Sequence, residues 1–227
     1  MSTLNGGPGI VTDGLILYVD AANYYSYPNT GSVWFDLSRG GTNGDISGSS
    51  VTSSLYGGTL LLTSNASEIF FGQNNLQPTS LTICAWIQNT ATGTSKMVLG
   101  KGKINDLTEW GISFGYSNPY LLVGRTTTYN NQITAPWTGS LLTGYHHVAY
   151  VTVSNTSSAM YIDGALVAST NTIGAIGLDN TVPLKAARWD NFGGGTMNYG
   201  NIQLYDRALT STEILQNYNT QKTRFGL

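Results

Sequence analysis

Apolar and polar positions alternate in short stretches along the chain, separated by clusters of Gly, Ser, Thr and Asn. The runs GLILYVD, TLLLT, EIFFG, LTICAWIQ, KMVLGKG, WGISFGY, YLLVGR, HHVAYVTV, AMYIDGALVA and GNIQLYD recur throughout. In WGISFGY, Trp110, Ile112, Phe114 and Tyr116 fall on one face, and Gly111, Ser113 and Gly115 on the other. A period of two with aromatic and β-branched enrichment predicts half-buried strands. Asp163-Gly164 lies between two such runs and predicts a type I′ hairpin, whose two central residues need positive φ. Ser117-Asn118-Pro119 predicts a second turn. Ten or more short strands between turn clusters predict an all-β antiparallel sandwich or barrel. The one helical pattern is C-terminal. There Thr210 and Glu213 fit a capping box, and Ile214, Leu215 and Tyr218 form a stripe that would dock on a sheet. No internal repeat or long linker divides the chain, so residues 13–227 read as one domain. Residues 1–12, polar and Gly/Pro-bearing until Ile10-Val11, read as an arm ordered by a partner.

Composition narrows the chemistry. Only 10% of the 227 residues are charged and the net charge is −2, against about 25% charged in an ordinary soluble domain. Without a basic run there is no cationic footprint for nucleic acid and no polybasic segment for a membrane surface. The apolar runs are too short to span a bilayer. The N-terminus lacks the charged and apolar regions of a secretory signal, which predicts a protein its own sequence does not send to the secretory route. The single Cys84 excludes an intrachain disulfide framework and a cysteine-based zinc site; within LTICAWI it predicts a buried, inert thiol.

Catalysis finds little support. Glycoside hydrolysis normally needs two carboxylates flanking one bond, and the three glutamates, Glu68, Glu109 and Glu213, are far apart in sequence. No strand carries a Glu-x-Asp-x-x-Glu cluster. The aspartates lie mostly beside Gly, Asn or Ser, where turn-making explains them. His146 and His147, adjacent in a strand, face opposite sides and cannot chelate together. Cys84, inside a strand, supplies no nucleophile for them. The expectation is a non-enzyme. Calcium is the metal that the chain's oxygen donors would suit, with Asp20 and Asn23 after the first strand and Asp190 and Asn191 in WDNFGGG as candidate ligands. Fourteen Tyr and five Trp offer another chemistry. Tyr24, Tyr25, Tyr27, Trp137, Trp189 and Tyr199 lie in polar surroundings, where rings can stack on sugars, form a protein interface or cover a sheet edge. These three readings fit the residues equally.

Five blocks in order carry a resemblance. GLILYVDAANYYSYP, VWFDLSRGGTNGDI (with Trp34, Asp36, Leu37, Ser38, Asn43 and Gly44), SLTICAWIQ (with Trp86), YHHVAYVTVSNTSSAMYIDGALVAS and NIQLYDRALTSTEILQNYNTQKTRFGL resemble the laminin-G-like, concanavalin-A-like jelly-roll domains of tailed-bacteriophage structural proteins. The chain departs from that pattern in two places. The family's Phe-Asp-Gly-x-x-Asp stretch reads LLTSNASEIFF, without an Asp, and Tyr145 stands where relatives carry Trp. The resemblance implies a jelly-roll sandwich of two antiparallel sheets with one short C-terminal helix. It further implies a non-enzymatic virion surface protein, a capsid decoration or fibre component assembled in the host cytoplasm. Such a protein would be held by other virion proteins of capsid or tail and would be a homo-oligomer. The alternative it implies is a lectin-like module for host cell-surface polysaccharide. Least favoured is a glycan hydrolase using Glu68 or Glu109.

Overall fold

The structure, a computed structural model, describes residues 9–72, 76, 78–89, 96–102, 110–114, 121–126, 131–177, 181–188 and 196–227. Strands β1 (Leu15–Asp20), β2 (Val33–Trp34), β3 (Gly44–Ser47), β4 (Ser50–Ser53) and β5 (Thr59–Leu62) come first. They are followed by β6 (Glu68–Phe70), β7 (Ser80–Gln88), β8 (Met97–Lys101), β9 (Trp110–Phe114), β10 (Leu121–Arg125) and β11 (Gln132–Pro136). The last are β12 (His146–Val153), β13 (Ser157–Ile162), β14 (Ala165–Thr170), β15 (Leu184–Ala187) and β16 (Met197–Tyr205), then helix α1 (Ser211–Gln221). One sheet runs β14-β13-β12-β7-β16-β5-β4, with β1 also on β16; the other runs β11-β10-β9-β8-β15-β6-β3-β2. The paired strands are antiparallel throughout, as the alternating pattern requires.

The core lies between the sheets, around Trp34, Ile83, Trp110, Trp137, Tyr150 and Tyr199. Gly124 faces it because a Cβ there would lie 2.4 Å from the Tyr150 ring. Trp110, Ile112 and Phe114 do share the core face of β9. The Asp163-Gly164 hairpin forms with φ of 50° and 77°. The turn expected at Ser117-Asn118-Pro119 lies outside the described residues. Strand β7 is buried on both sides. Leu81, Ile83, Ala85 and Ile87 enter the main core, while Cys84 and Trp86 pack outward under α1 and the C-terminal tail. That second cover explains why LTICAWI is apolar without alternation. Burial pushes the Cys84 thiol up to about 12, so it is held protonated.

The helix begins with the expected capping box: Glu213 N–H donates to Thr210 Oγ1 (3.3 Å) and Thr210 N–H to Glu213 Oε2 (2.8 Å). Its docking follows the expected apolar stripe only in part. Ile214 is buried and Tyr218 stacks on Trp86, but Leu215 is 44% exposed, and the other buried positions are Asn217 and Gln221. Asn217 Nδ2 donates to Gln203 Oε1 (3.2 Å) and Tyr205 Oη (3.0 Å), while Val11 N–H donates to Asn217 Oδ1 (2.8 Å). Gly9 and Val11, in the predicted arm, are thereby bound to the helix, Gly9 O accepting from Gln216 Nε2 at 2.7 Å; residues 1–8 lie outside the described set. No helix among the described residues is long and apolar enough to cross a membrane.

Candidate functional site

Strand β16 has two neighbours on one side. Its C-terminal half pairs with β1 and its N-terminal half with β5. Where β1 ends, at Asp20 opposite Asn201, the chain must leave the sheet before β5 takes over at Leu60 opposite Tyr199. The turn after β1 therefore meets the turn before β5. The second of these is a 3₁₀ turn, Leu55–Gly57. Contact is close: a Cβ at Gly58 would lie 2.5 Å from the Ala21 carbonyl oxygen, and one at Gly57 would lie 3.5 Å from Ala22 Cβ.

The turn after β1 is rigidly hydrogen-bonded. Asn23 Oδ1 accepts from Tyr25 N–H (2.9 Å), and the Asn23 carbonyl accepts from the N–H groups of Ser26 (2.9 Å) and Tyr27 (2.8 Å). Ser26 Oγ accepts from Asp20 N–H (3.0 Å) and donates to the Phe35 carbonyl (2.6 Å), which brings Phe35 alongside. Tyr24 and Tyr25 project from this scaffold 71% and 73% exposed, edge to face with centroids 6.3 Å apart. Phe35, Leu55 and Tyr56 are also exposed. The turns that carry these five side chains abut one another on a preorganised base.

The C-terminal tail fixes this base. Arg224 donates from Nη1 to both oxygens of Asp20 (2.8 and 3.0 Å), from Nη2 to the Gly58 carbonyl (2.8 Å) and from Nε to the Tyr56 carbonyl (2.7 Å). Phe225 beside it stacks on Trp86, with centroids 4.3 Å apart, and lies 5.9 Å from Tyr56. Tyr145 meets the same ring, and burial pushes its hydroxyl up to about 12.

The six aromatic candidates separate. Tyr24 and Tyr25 are exposed and together; Trp189 lies outside the described residues. Tyr27, Trp137 and Tyr199 are buried, which corrects the expectation that they present rings to a partner. Tyr27 Oη donates to the Gly31 carbonyl (3.0 Å), Trp137 Nε1 to the Asn89 carbonyl (3.2 Å) and Tyr199 Oη to the Met97 carbonyl (2.8 Å). Their polar sequence neighbours point elsewhere: in Asn198-Tyr199, strand alternation sends the amide out and the ring in. Phe35 and Tyr56 were not singled out from the sequence. For Phe35 a signal existed, since it follows the buried Trp34 and must face the other way.

Two of the four calcium candidates are occupied by protein donors. Asp20 accepts from Arg224, from Ala22 N–H (2.9 Å) and from Tyr18 Oη (3.0 Å), and Asn23 Oδ1 closes its own turn. A cation would have to displace Arg224, so this donor set does not fit calcium. Asp190 and Asn191 lie outside the described residues, and among those described no group of three or more His, Cys, Asp or Glu side chains converges.

Other titratable groups are committed to structure. Glu68 accepts from Lys185 (3.1 Å) and Glu213 from Arg207 (2.6 Å); Glu109 lies outside the described residues. The Arg207 hydrogen bond, with those from Thr210, holds the Glu213 carboxyl down at about 2. Gly111-Ile112-Ser113-Phe114-Gly115 spells G-x-S-x-G, but Ser113 sits buried within β9 rather than at a strand-to-helix elbow. His146 and His147 diverge as expected. His146 Nδ1 lies 2.7 Å from Asp163 Oδ2, while His147 is packed between Trp86 and Tyr218 with neither ring nitrogen hydrogen-bonded.

Comparison with known proteins agrees with this architecture. Residues 63–215 match the family model described as the concanavalin A-like lectin/glucanases superfamily. No sequence among the curated proteins matches the chain. Among solved structures, the binding domain of Paraclostridial Mosquitocidal Protein 1 superposes with a TM-score of 0.68 at 18% identity, over 91% of this chain and 52% of that one. The binding domain of botulinum neurotoxin DC, solved in complex with rat synaptotagmin II, gives 0.64 at 15% identity, over 93% and 52%. A botulinum neurotoxin type C structure, reported for cell entry dependent on two ganglioside molecules, gives 0.65 at 14%, over 93% and 52%. The chain spans about half the length of these structures, and at such identities the likeness is one of fold. Matched by its family model over residues 63–215, the chain belongs to the concanavalin A-like lectin/glucanase superfamily.

Proposed function

We propose that this chain is a non-catalytic recognition module that binds glycan through Tyr24, Tyr25 and the neighbouring Phe35, Leu55 and Tyr56. The observation that carries this reading is the pair of tyrosines, each about 70% exposed, on a turn locked by hydrogen bonds and by Arg224. Exposed rings on a rigid base lose little entropy on stacking against the C–H face of a sugar. The lectin-type fold supports it, as do matched structures that are binding domains. The non-enzymatic reading is supported by Glu68 and Glu213, each held in an ion pair.

The setting we propose is the surface of a tailed-phage particle, where the module would sit as a homo-oligomer among other virion proteins of capsid or tail. This rests on sequence, chiefly on the opening block and the Arg-Phe-Gly-Leu ending. Those two blocks meet in the fold, through Arg224 and Asp20. Immunogold labelling of particles with antibody to the domain tests the setting, and unlabelled particles would remove it.

The site itself is tested by affinity electrophoresis in polysaccharide gels, comparing the protein with Tyr24→Ala and Tyr25→Ala. Burying about 50 Å² of ring at about 25 cal/mol per Å² is worth about 1.3 kcal/mol, close to a tenfold loss of affinity per ring. Unchanged melting temperature with lost retention supports the assignment; full retention in both variants refutes it.

A further inference from the structure

Resting on that reading of the site, we infer that its ligand is an uncharged sugar and that acidic glycans are excluded, because the cation built into the surface is already spent. The guanidinium of Arg224 makes four hydrogen bonds, two to the Asp20 carboxylate and two to the carbonyls of Tyr56 and Gly58. Asp20 is itself buried and also takes up Ala22 N–H and Tyr18 Oη. Arg224 and Asp20 offset each other's charge, with side chains only 20% and 10% exposed.

Among the described residues, the other charged groups around this surface are acidic, set back from it or engaged elsewhere. Asp36, next to Phe35, is folded into its own loop by the N–H groups of Tyr18 (2.9 Å), Ser38 (2.8 Å) and Thr42 (3.0 Å) and by Ser38 Oγ (2.8 Å). Asp45, exposed opposite Val33, is an anion itself. Arg39 lies back along β1, because Leu37 N–H bonds the Tyr18 carbonyl (2.7 Å) and Gly40 abuts the Ile16 carbonyl. At about 3.3 Å per residue its backbone is about 13 Å from Asp20, set back from the two turns. The ammonium of Lys222 sits over the Tyr218 ring, 5.5 Å from its centroid.

A sugar carboxylate or sulfate stacked on Tyr24 or Tyr25 would therefore lose hydration without gaining a charged partner, whereas a neutral ring loses only what its hydroxyls can recover from tyrosine, asparagine and backbone groups. The surface is selective by what it withholds.

The test uses the full chain on immobilised neutral probes (cellohexaose, maltohexaose, chitohexaose and mannan) beside acidic ones (3′-sialyllactose, polygalacturonate and chondroitin sulfate). Binding confined to one or more neutral probes, and changing less than about twofold between about 0.05 and 0.5 M NaCl, is expected. Acidic probes bound as well as neutral ones, with affinity falling as salt rises, overturn the inference while leaving the glycan site standing. No binding to any probe takes down the glycan reading itself and points the surface to a protein partner. Leu55→Lys adds a cation at an exposed position and is expected to confer salt-sensitive binding of 3′-sialyllactose. Failure of that variant, folded by its melting temperature, to gain acidic binding shows that charge does not set the selectivity.

Discussion

The two histidines should dominate the dependence of stability on pH between 4 and 7, and they act with opposite sign. His147 is the larger effect. Its ring is fully buried between Trp86 and Tyr218, and burial, opposed only by the Asp163 charge, lowers it to about 4 from an ordinary 6.5. The unfolded chain then binds a proton that the native state refuses. Stability is complete above about pH 6.5 and declines as the pH falls towards 4. At 1.36 kcal/mol per unit, the loss across this window is about 3 kcal/mol. His146 is raised instead: burial opposes its charge, but the Asp163 hydrogen bond and charge, with the carbonyls of Thr143 and Ser140, outweigh it. Its contribution is fully present below 6.5 and fades as pH rises through the raised value, so on acidification its gain comes above 6.5 and the His147 loss below it.

His147→Phe separates the two. The substituted ring keeps the contacts with Trp86 and Tyr218 and removes two buried nitrogens that have no hydrogen-bond partner, a relief of about 1–3 kcal/mol. Urea unfolding at half-unit steps from pH 4 to 8 is the assay. The variant should be more stable at pH 7 and should lose most of the acid slope. What remains should be a rise in stability as the pH falls from 8 to about 6.5, from His146, and a plateau from there to about pH 5. An acid slope unchanged in His147→Phe would refute the assignment of the proton to this ring.

Phe225→Ala should cost about 3–5 kcal/mol, the range for deleting a buried aromatic ring, and calorimetry should show Tm reduced by about 6–20 °C. The same variant should weaken glycan retention, since Phe225 packs against Tyr56. Lys96→Met should raise stability at pH 7. The Lys96 side chain is buried with its ammonium on Asn89 Oδ1 (3.0 Å), and burial lowers it to about 8. The Lys96 contribution should therefore recover between about pH 8 and 10.5, so the stability advantage of the variant in parallel denaturation curves should shrink over that range, while the buried Cys84 thiol and tyrosines lower both proteins alike.

The parts legible in the sequence are those governed by local periodicity and local turn chemistry. Alternation in β9, the Asp163-Gly164 hairpin and the Thr210–Glu213 cap all depend on residues within a few positions of one another. Misreadings arose where a distant element decides. Tyr199 looks like a loop aromatic among Asn198, Gly200 and Asn201, but β16 pairs on both sides and turns its ring into the core. Asp20 looks like a metal ligand until Arg224, 204 positions away, is placed on it. The polar docking of α1 was invisible for the same reason: Asn217 is buried because Gln203, Tyr205 and Val11 supply its hydrogen bonds. Tyr24 and Tyr25 were readable because a tight Asn-initiated turn leaves side chains at its tip nowhere to go but outward.

The scarcity of charge connects the composition to the kind of recognition the surface can perform. Of a small complement of ionisable groups, Asp20 with Arg224, Asp163 with His146, Glu68 with Lys185 and Glu213 with Arg207 are bound to one another inside the fold. Charge is thereby thinned around the described Tyr24–Tyr25 surface, where ring faces, amides and backbone groups predominate. Three stacked rings at about 1.3 kcal/mol each gain about 4 kcal/mol before the entropy cost of association, so the complex is millimolar at best. Useful adhesion at that strength requires many copies acting together, where linked sites gain about 10²–10⁴ in avidity without any new contact. A weak, neutral, rigid site is therefore best matched to repeated display, which is the physical reason for joining the glycan-binding reading to a multicopy particle surface rather than to a freely diffusing monomer.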